Sequence, residues 1–320
     1  MISGKGFYIW KLDTIEIPSI PELVQTAKAG GFSHLIVKIA DGSVSANISS
    51  RGDLAEQLVK EAHKVGIQVW GFQYLYCTFP EYEAVKAKKR VTETGVDGFV
   101  IDAEAELKLA GPEAAKVYLT ELKKGWSGIP IALSSYRYPS FHREFPWKEF
   151  MSQVDLAMPQ VYWAGAHNPK TQLEQCLKEY RANWPKIPVI PTGAAYHEAG
   201  WQPADGEITA FIEAVQKAGL PGYNFWEWAN ALRYGLFAET VGDNPVPTTP
   251  TELSIAIVKT GLINFRSDAA IGNNVIVQLK RGTQGKIVEV KQEGKNRWVK
   301  VQVEGWLAAD YNGQQLVEVK

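Results

Sequence analysis

A chain of 320 residues with 45% apolar side chains can bury one large core and a second, smaller one. Its 34 basic and 35 acidic residues leave a formal charge of -1, which argues against a sequence-independent grip on nucleic acid or on an anionic membrane surface. The two cysteines, Cys77 and Cys176, lie too far apart in sequence for a paired motif, so neither a disulfide framework nor a metal knuckle is expected, and both read as core thiols.

Met1 to Phe7 carry no basic segment running into an apolar stretch and a cleavage site, and no run reaches the ~18 apolar residues of a membrane span. The expectation is a protein made in the cytoplasm without a visible signal peptide. From there to about residue 240, short β-rich runs alternate with amphipathic helical patterns. The strand candidates are Gly6 to Leu12, His34 to Ala40, Gln68 to Tyr76, Gly98 to Glu104, Pro130 to Tyr136, Leu156 to Trp163, Pro188 to Ala194 and Tyr223 to Trp228. Helical candidates between them include Pro21 to Ala29, Leu54 to Val65, Tyr82 to Thr94, Pro112 to Lys124, Gln172 to Trp184 and Glu207 to Ala218. Glycines follow several of these helices, as helix ends require. Eight strands with crossover helices predict an α/β fold, a (β/α)8 TIM barrel over residues 1–240.

Residues 241–252 then read as a Pro/Thr-rich linker. Beyond it, residues 253–320 offer only short β runs, Ile255 to Lys259, Val275 to Leu279, Gly285 to Val290, Trp298 to Val303 and Leu316 to Val319, which predicts a small all-β barrel.

In a barrel of this type the chemistry sits where the C-terminal strand ends and their βα loops converge. Strand four ends in Ile101-Asp102-Ala103-Glu104. Side chains two apart on a strand share a face, about 6 to 7 Å from each other at the backbone, so the two carboxylates face one space. The same logic brings Lys38 and Asp41 from strand two to the mouth, with Gln73, Tyr74 and Tyr76 from strand three and Tyr136 and Arg137 from strand five. Strand six adds Gln160, Tyr162 and Trp163, strand seven Tyr196, His197 and Glu198, and strand eight Trp226, Glu227 and Trp228. One histidine without a second at ligand spacing does not make a catalytic metal site, and no cofactor motif is present, so none is expected. Carboxylates beside aromatic platforms suit glycosidic-bond hydrolysis, in which one carboxyl protonates the leaving oxygen and a second group stabilises the oxocarbenium-like centre.

Resemblances sharpen this reading. Gly31-Phe32-Ser33-His34-Leu35-Ile36-Val37-Lys38-Ile39-Ala40-Asp41-Gly42, Val65-Gly66-Ile67-Gln68-Val69-Trp70-Gly71-Phe72-Gln73-Tyr74 and the D-x-E at Asp102 resemble strands two, three and four of family-25 lysozymes. Asp97-Gly98-Phe99-Val100-Ile101-Asp102-Ala103-Glu104 is also similar to the fourth-strand DGxDxDxE signature of family-18 chitinases, and Met158-Pro159-Gln160-Val161-Tyr162 to their sixth strand. The chain departs from both. Strand one reads Gly6-Phe7-Tyr8-Ile9-Trp10 where family-25 enzymes carry an Asp, and Val100 stands at the middle Asp of the chitinase signature. Glu227 and Asp41 are the candidates to replace the missing charge.

The resemblance implies that Glu104 is the general acid and then base, and that Asp102 orients a substrate acetamido group whose carbonyl oxygen attacks the anomeric carbon. It implies that Gln160 and Tyr162 hydrogen-bond that group and that Trp226 or Trp228 floors the sugar site. Leu262-Ile263-Asn264-Phe265-Arg266-Ser267, Leu279-Lys280-Arg281-Gly282-Thr283, Arg297-Trp298-Val299-Lys300-Val301 and Gly305-Trp306-Leu307 resemble bacterial SH3-like modules, which implies a partner in a wall peptide or another protein. Together these imply an endolysin-like peptidoglycan hydrolase of the lysozyme or glucosaminidase type, acting at the cell wall after release. The alternatives are a non-catalytic glycan-binding or structural protein of a phage or surface assembly, and a glycosidase of another polysaccharide such as chitin.

Overall fold

The computed structural model describes residues 2–15 and 19–241, and further on 255–257, 262–267, 275–280, 283–293, 296–302, 310–311 and 314–315. The chain divides into two compact units, Met1–Val246 and Pro247–Lys320.

The first unit is a closed barrel. Its strands are β1 (Gly4–Ile9), β2 (His34–Asp41), β3 (Gln68–Leu75), β4 (Gly98–Ala103), β5 (Ile131–Tyr136), β6 (Leu156–Val161), β7 (Thr192–Ala194) and β8 (Gly222–Trp226). Each pairs in parallel with the next, and β1 pairs with both β2 and β8, which closes the ring. Between strands run α1 (Ile20–Ala29), α2 (Leu54–Lys64), α3 (Pro80–Thr94), α4 (Glu106–Lys123), α5 (Trp147–Met151), α6 (Pro169–Asn183) and α7 (Glu207–Lys217), with α8 (Trp228–Arg233) and α9 (Phe237–Val241) after β8. Local chemistry sets several of these boundaries. Asp53 caps α2 by accepting from the Ala55 and Glu56 amides, and Gly95, at φ 70°, ends α3 in the left-handed region that glycine enters without strain.

Strand alternation divides the core in two. Tyr8, Ile36, Trp70, Phe72, Val100, Ala132, Leu156, Met158 and Ile190 fill the inside of the barrel. Their odd-numbered neighbours, such as Phe7, Val37, Val69, Phe99, Leu133 and Val161, pack outward against the helices. The strands therefore read as continuous apolar runs, buried on both faces. Inside, size is traded across strands, because a Cβ on Gly98 would run into the indole of Trp70 and one on Gly6 into the ring of His34.

The structure departs from the sequence expectations at ends and connections. Strand six stops at Val161 and strand eight at Trp226, two residues short of the expected ends, and β7 shrinks to Thr192–Ala194, with Val189 bridging separately to Ala157. Helix α4 joins two helical segments across Gly111, whose φ 76° and ψ -178° are not helical; the second opens at Pro112 as expected, and the first, from Glu106, was not expected. Helix α5 was not expected; five residues are too few for a helical period to show. Both cysteines are buried and free.

In the second unit every described element is a β-strand, and every described pairing is antiparallel. Leu262–Arg266 pairs with Val275–Lys280, and Gln284–Glu293 pairs with Ile255–Ile257 and Asn296–Gln302. Apart from Val241, the expected linker lies outside the described residues, as do Gly305 to Leu307 and Leu316 to Val319. Among the described residues no helix is long and apolar enough to cross a membrane.

A polar pair closes the base of the barrel: His34 Nε2 lies 2.6 Å from Asn224 Oδ1, with both residues fully buried. Burial pushes the imidazole down to about 4 from 6.5. The unfolded chain therefore takes up a proton that the native state refuses, and stability is lost as pH falls from 6.5 toward 4. The whole loss from this group is about 3 kcal/mol. Urea midpoints between pH 7 and pH 4 should fall less for His34→Gln than for the parent, and identical slopes would show that His34 contributes nothing.

Candidate active site

At the C-terminal rim, the inward positions change from apolar to polar. Val100 and Asp102 on β4, and Glu104 just past its end at Ala103, rise from the core into a cleft of about 820 Å³. Asp102 is 3% exposed, and its Oδ1 accepts from the Ser134 hydroxyl at 2.9 Å and from the Gln160 amide at 3.1 Å. The same Gln160 nitrogen donates to Glu104 Oε1 at 2.8 Å, so one side-chain amide spans both carboxyl groups. Burial is the main reason that both are held above the ordinary carboxylate range. Asp102 is raised strongly because it also faces Glu104, an effect that the hydrogen bonds from Ser134 and Gln160 and the charge of Lys38 only partly offset. Glu104 is raised further by Glu106, against the Gln160 hydrogen bond. Two carboxyls so close and so buried ionise less easily than free ones, so the pair holds its proton to higher pH than isolated carboxylates would.

Tyrosines surround the pair. Burial and the negative charges of Asp102 and Glu104 raise the Tyr162 hydroxyl far above its ordinary value, so it stays a neutral donor. Tyr74 donates to Glu106 at 2.9 Å and Tyr76 to Asp41 at 3.0 Å. Lys38 pairs with Asp41 at 2.9 Å. Trp226 packs against Tyr8 and Phe72, with ring centroids 5.4 and 6.0 Å apart, and lines the cleft above the barrel core.

Of the residues expected at the mouth, Lys38, Asp41, Tyr74, Tyr76, Asp102, Glu104, Gln160, Tyr162, Tyr196, His197, Glu198, Trp226 and Glu227 line this cleft. Gln73, Tyr136, Arg137, Trp163 and Trp228 do not. Gln73 sits on the outward face of β3, where it donates to the Gly42 and Glu83 carbonyls and accepts from Tyr118. Trp163 follows the outward series of β6, is fully buried, and donates to Glu207. Trp228 has turned into α8 and packs against Phe7, Phe32 and Phe237. Tyr136 stacks on His142 at 3.6 Å beside the cleft, and the Arg137 guanidinium lies 5.1 Å from the Tyr138 ring.

Both candidates for the missing charge line the cleft, and both are engaged there. Glu227 caps α8 by accepting from the Asn230 and Ala229 amides at 2.7 and 3.2 Å, and Asp41 is held by Lys38 and Tyr76. Sequence reasoning missed Trp10, Lys11, Phe72, Glu106, Ser134, Asn230 and Arg233, which also line the cleft. For Phe72 and Ser134 the signal was available: they occupy the inward positions of β3 and β5 at the level of Val100 and Asp102.

No family model and no curated protein matches the sequence. Solved structures do match. The Bacillus cereus spore cortex-lytic enzyme SleL superposes with a TM-score of 0.53 at 10% identity, over 74% of each chain. A plant class V chitinase mutant from Cycas revoluta, in complex with (GlcNAc)3, gives 0.57 at 11% identity over 76% of this chain and 99% of that one. The PgaB (BpsB) glycoside hydrolase domain from Bordetella bronchiseptica gives 0.53 at 12% identity over 76% and 97%. These proteins and the present chain share the barrel fold.

The raised Asp102 carries a stability cost with a definite sign. Above its unfolded value of 3.8 the native carboxyl is either kept protonated or ionised against its surroundings, so its contribution to stability is lost as pH rises. Asp102→Asn keeps an oxygen to accept from Ser134 and Gln160 and removes the charge. Its thermal midpoint at pH 7 should exceed the parent's by a few degrees, about 2 to 4 °C for each kcal/mol recovered. The difference should shrink at pH 4, and a variant less stable than the parent at pH 7 would contradict this account.

Proposed function

We propose that the barrel is a peptidoglycan hydrolase that cleaves a β-1,4 glycosidic bond next to an N-acetylated sugar, with Glu104 as its general acid and base. The observation that carries this reading is the Gln160 amide spanning Asp102 and Glu104 at the cleft floor, with both carboxyls raised. Glu104, higher on the strand, gives its proton to the leaving glycosidic oxygen. Asp102, deeper and walled in, accepts a hydrogen bond from the acetamido N–H of the sugar. The acetamido carbonyl oxygen then attacks the anomeric carbon as the glycosidic bond breaks, closing a five-membered ring. Water, deprotonated by the Glu104 carboxylate, opens that ring and restores the acetamido group. Two inversions at one carbon give net retention.

Tyr162 and Gln160 hold the acetamido group during this exchange, and Trp226 offers the sugar an apolar face. Val100 in place of an acid below Asp102 makes burial, rather than a second buried charge, the main force on that carboxyl. The antiparallel strands of the second unit and its Asn264-Phe265-Arg266 strand are consistent with an SH3-like module that holds the enzyme to the wall. The fold likeness to a chitinase in complex with (GlcNAc)3 favours chitin as the second reading.

Purified peptidoglycan and chitin, incubated with the protein and with Glu104→Gln, should yield soluble fragments with new reducing ends by mass spectrometry. Peptidoglycan should be cut by the parent, and the variant should be slower by about 10²- to 10⁴-fold. Full activity in the variant would overturn the role of Glu104. Tight binding without any fragments would replace the hydrolase with a glycan-binding protein.

A further inference from the structure

The carboxyl pair occupies the β4 side of the cleft, and the side formed by β8, β1 and β2 has a different character. There Trp10, 44% exposed, lies just beyond the end of β1. The Lys11 ammonium rides 4.5 Å from the centre of its ring, and that of Lys38 5.9 Å. Asn47 fixes this arm: its Oδ1 accepts from the Leu12 amide at 2.8 Å, and its Nδ2 donates to the carbonyls of Lys38 at 2.8 Å and Trp10 at 3.2 Å.

A second hollow of about 640 Å³ opens here, and it shares Trp10, Lys11, Lys38, Asp41 and Tyr76 with the main cleft, so the two form one trough. Two carboxylates face the arm, Asp13 and Asp41. Asp41 is engaged by Lys38 and the Tyr76 hydroxyl. Among the described residues Lys11 has no ion pair; its cation rests against an aromatic face at the edge of the trough.

We propose that this arm is a subsite for a sugar bearing a carboxylate substituent, stacked on Trp10 with its carboxylate paired to Lys11. Lys11 has this role only if the cleft takes an N-acetylated glycan, the reading given above. A neutral sugar gains the stacking alone, whereas an acidic one adds a charge-assisted hydrogen bond. The arm therefore selects a glycan in which acidic sugars alternate with neutral N-acetylated ones over an all-neutral polymer. Lys11 is the specificity-determining residue.

The test is equilibrium binding to the full chain carrying Glu104→Gln, which separates recognition from turnover. The ligands are a peptide-free tetrasaccharide of alternating N-acetylglucosamine and N-acetylmuramic acid, and chitotetraose. At low salt the acidic ligand should bind about tenfold more tightly, the ratio expected for one charge-assisted contact. High salt or an added Lys11→Gln should bring the ratio to about twofold or less, and Trp10→Ala should weaken both ligands. Equal affinities, no binding of either ligand, or a preference that survives Lys11→Gln would overturn the proposal. Cleavage by the parent is scored separately. Turnover without acidic preference would remove the subsite and leave the hydrolase, whereas Lys11-dependent preference without turnover would leave the subsite and remove the hydrolase.

Discussion

Two carboxyl groups held under one amide, in a place where water cannot fully solvate them, are the constraint on which the site depends. Gln160 reaches down from β6 to Asp102 past the small Ser134 of β5, which lies at the level of Asp102 and donates to the same oxygen. A larger residue at position 134 would block the approach to Asp102, and a shorter amide at 160 would fall short of the pair. The spacing is thus set by the register of three neighbouring strands, where Asp102 lies opposite Ser134 and Tyr136 opposite Gln160. Rigid strands hold a proton-sharing pair more firmly than loops could.

The barrel interior is polar at both ends and apolar between. Its base holds an imidazole that burial keeps neutral, and its rim holds carboxyls that burial raises above their ordinary range. The layer between them, built from Tyr8, Trp70, Phe72, Val100 and Met158, is almost fully buried and separates the two. One packing arrangement therefore opposes charge in a base and in two acids, and the resulting pH dependences have opposite signs.

Much of this was legible in the sequence. All eight strands were found because each is buried on both faces and reads as an apolar run. Asp102 and Glu104 were found because the run on β4 ends in two acids on one parity. The failures have equally local causes. Gln73 and Trp163 were assigned to the mouth without applying strand alternation, which sends them outward to the helices. Trp228 shares parity with Trp226, but the chain stops being a strand between them, when Glu227 turns to cap α8. Gly111-Pro112 reads as a helix start and is one, but the short helical segment from Glu106 that precedes it has too few residues to show a period. The Trp10 arm was not foreseen, since it depends on Asn47 tying together segments more than thirty residues apart.

The contact between Gly98 and Trp70 carries a consequence for sequence change in this fold. The indole on β3 occupies the room that a side chain on β4 would need, so neither position is independent. A relative with any larger residue at 98 should carry a smaller one at 70, and the two should vary together across descendants. Shrinking Trp70 alone would leave a void beneath Asp102, and filling Gly98 alone would push β4, with its pair of acids, out of register. The history of the site is therefore written partly in an apolar pair that never meets substrate.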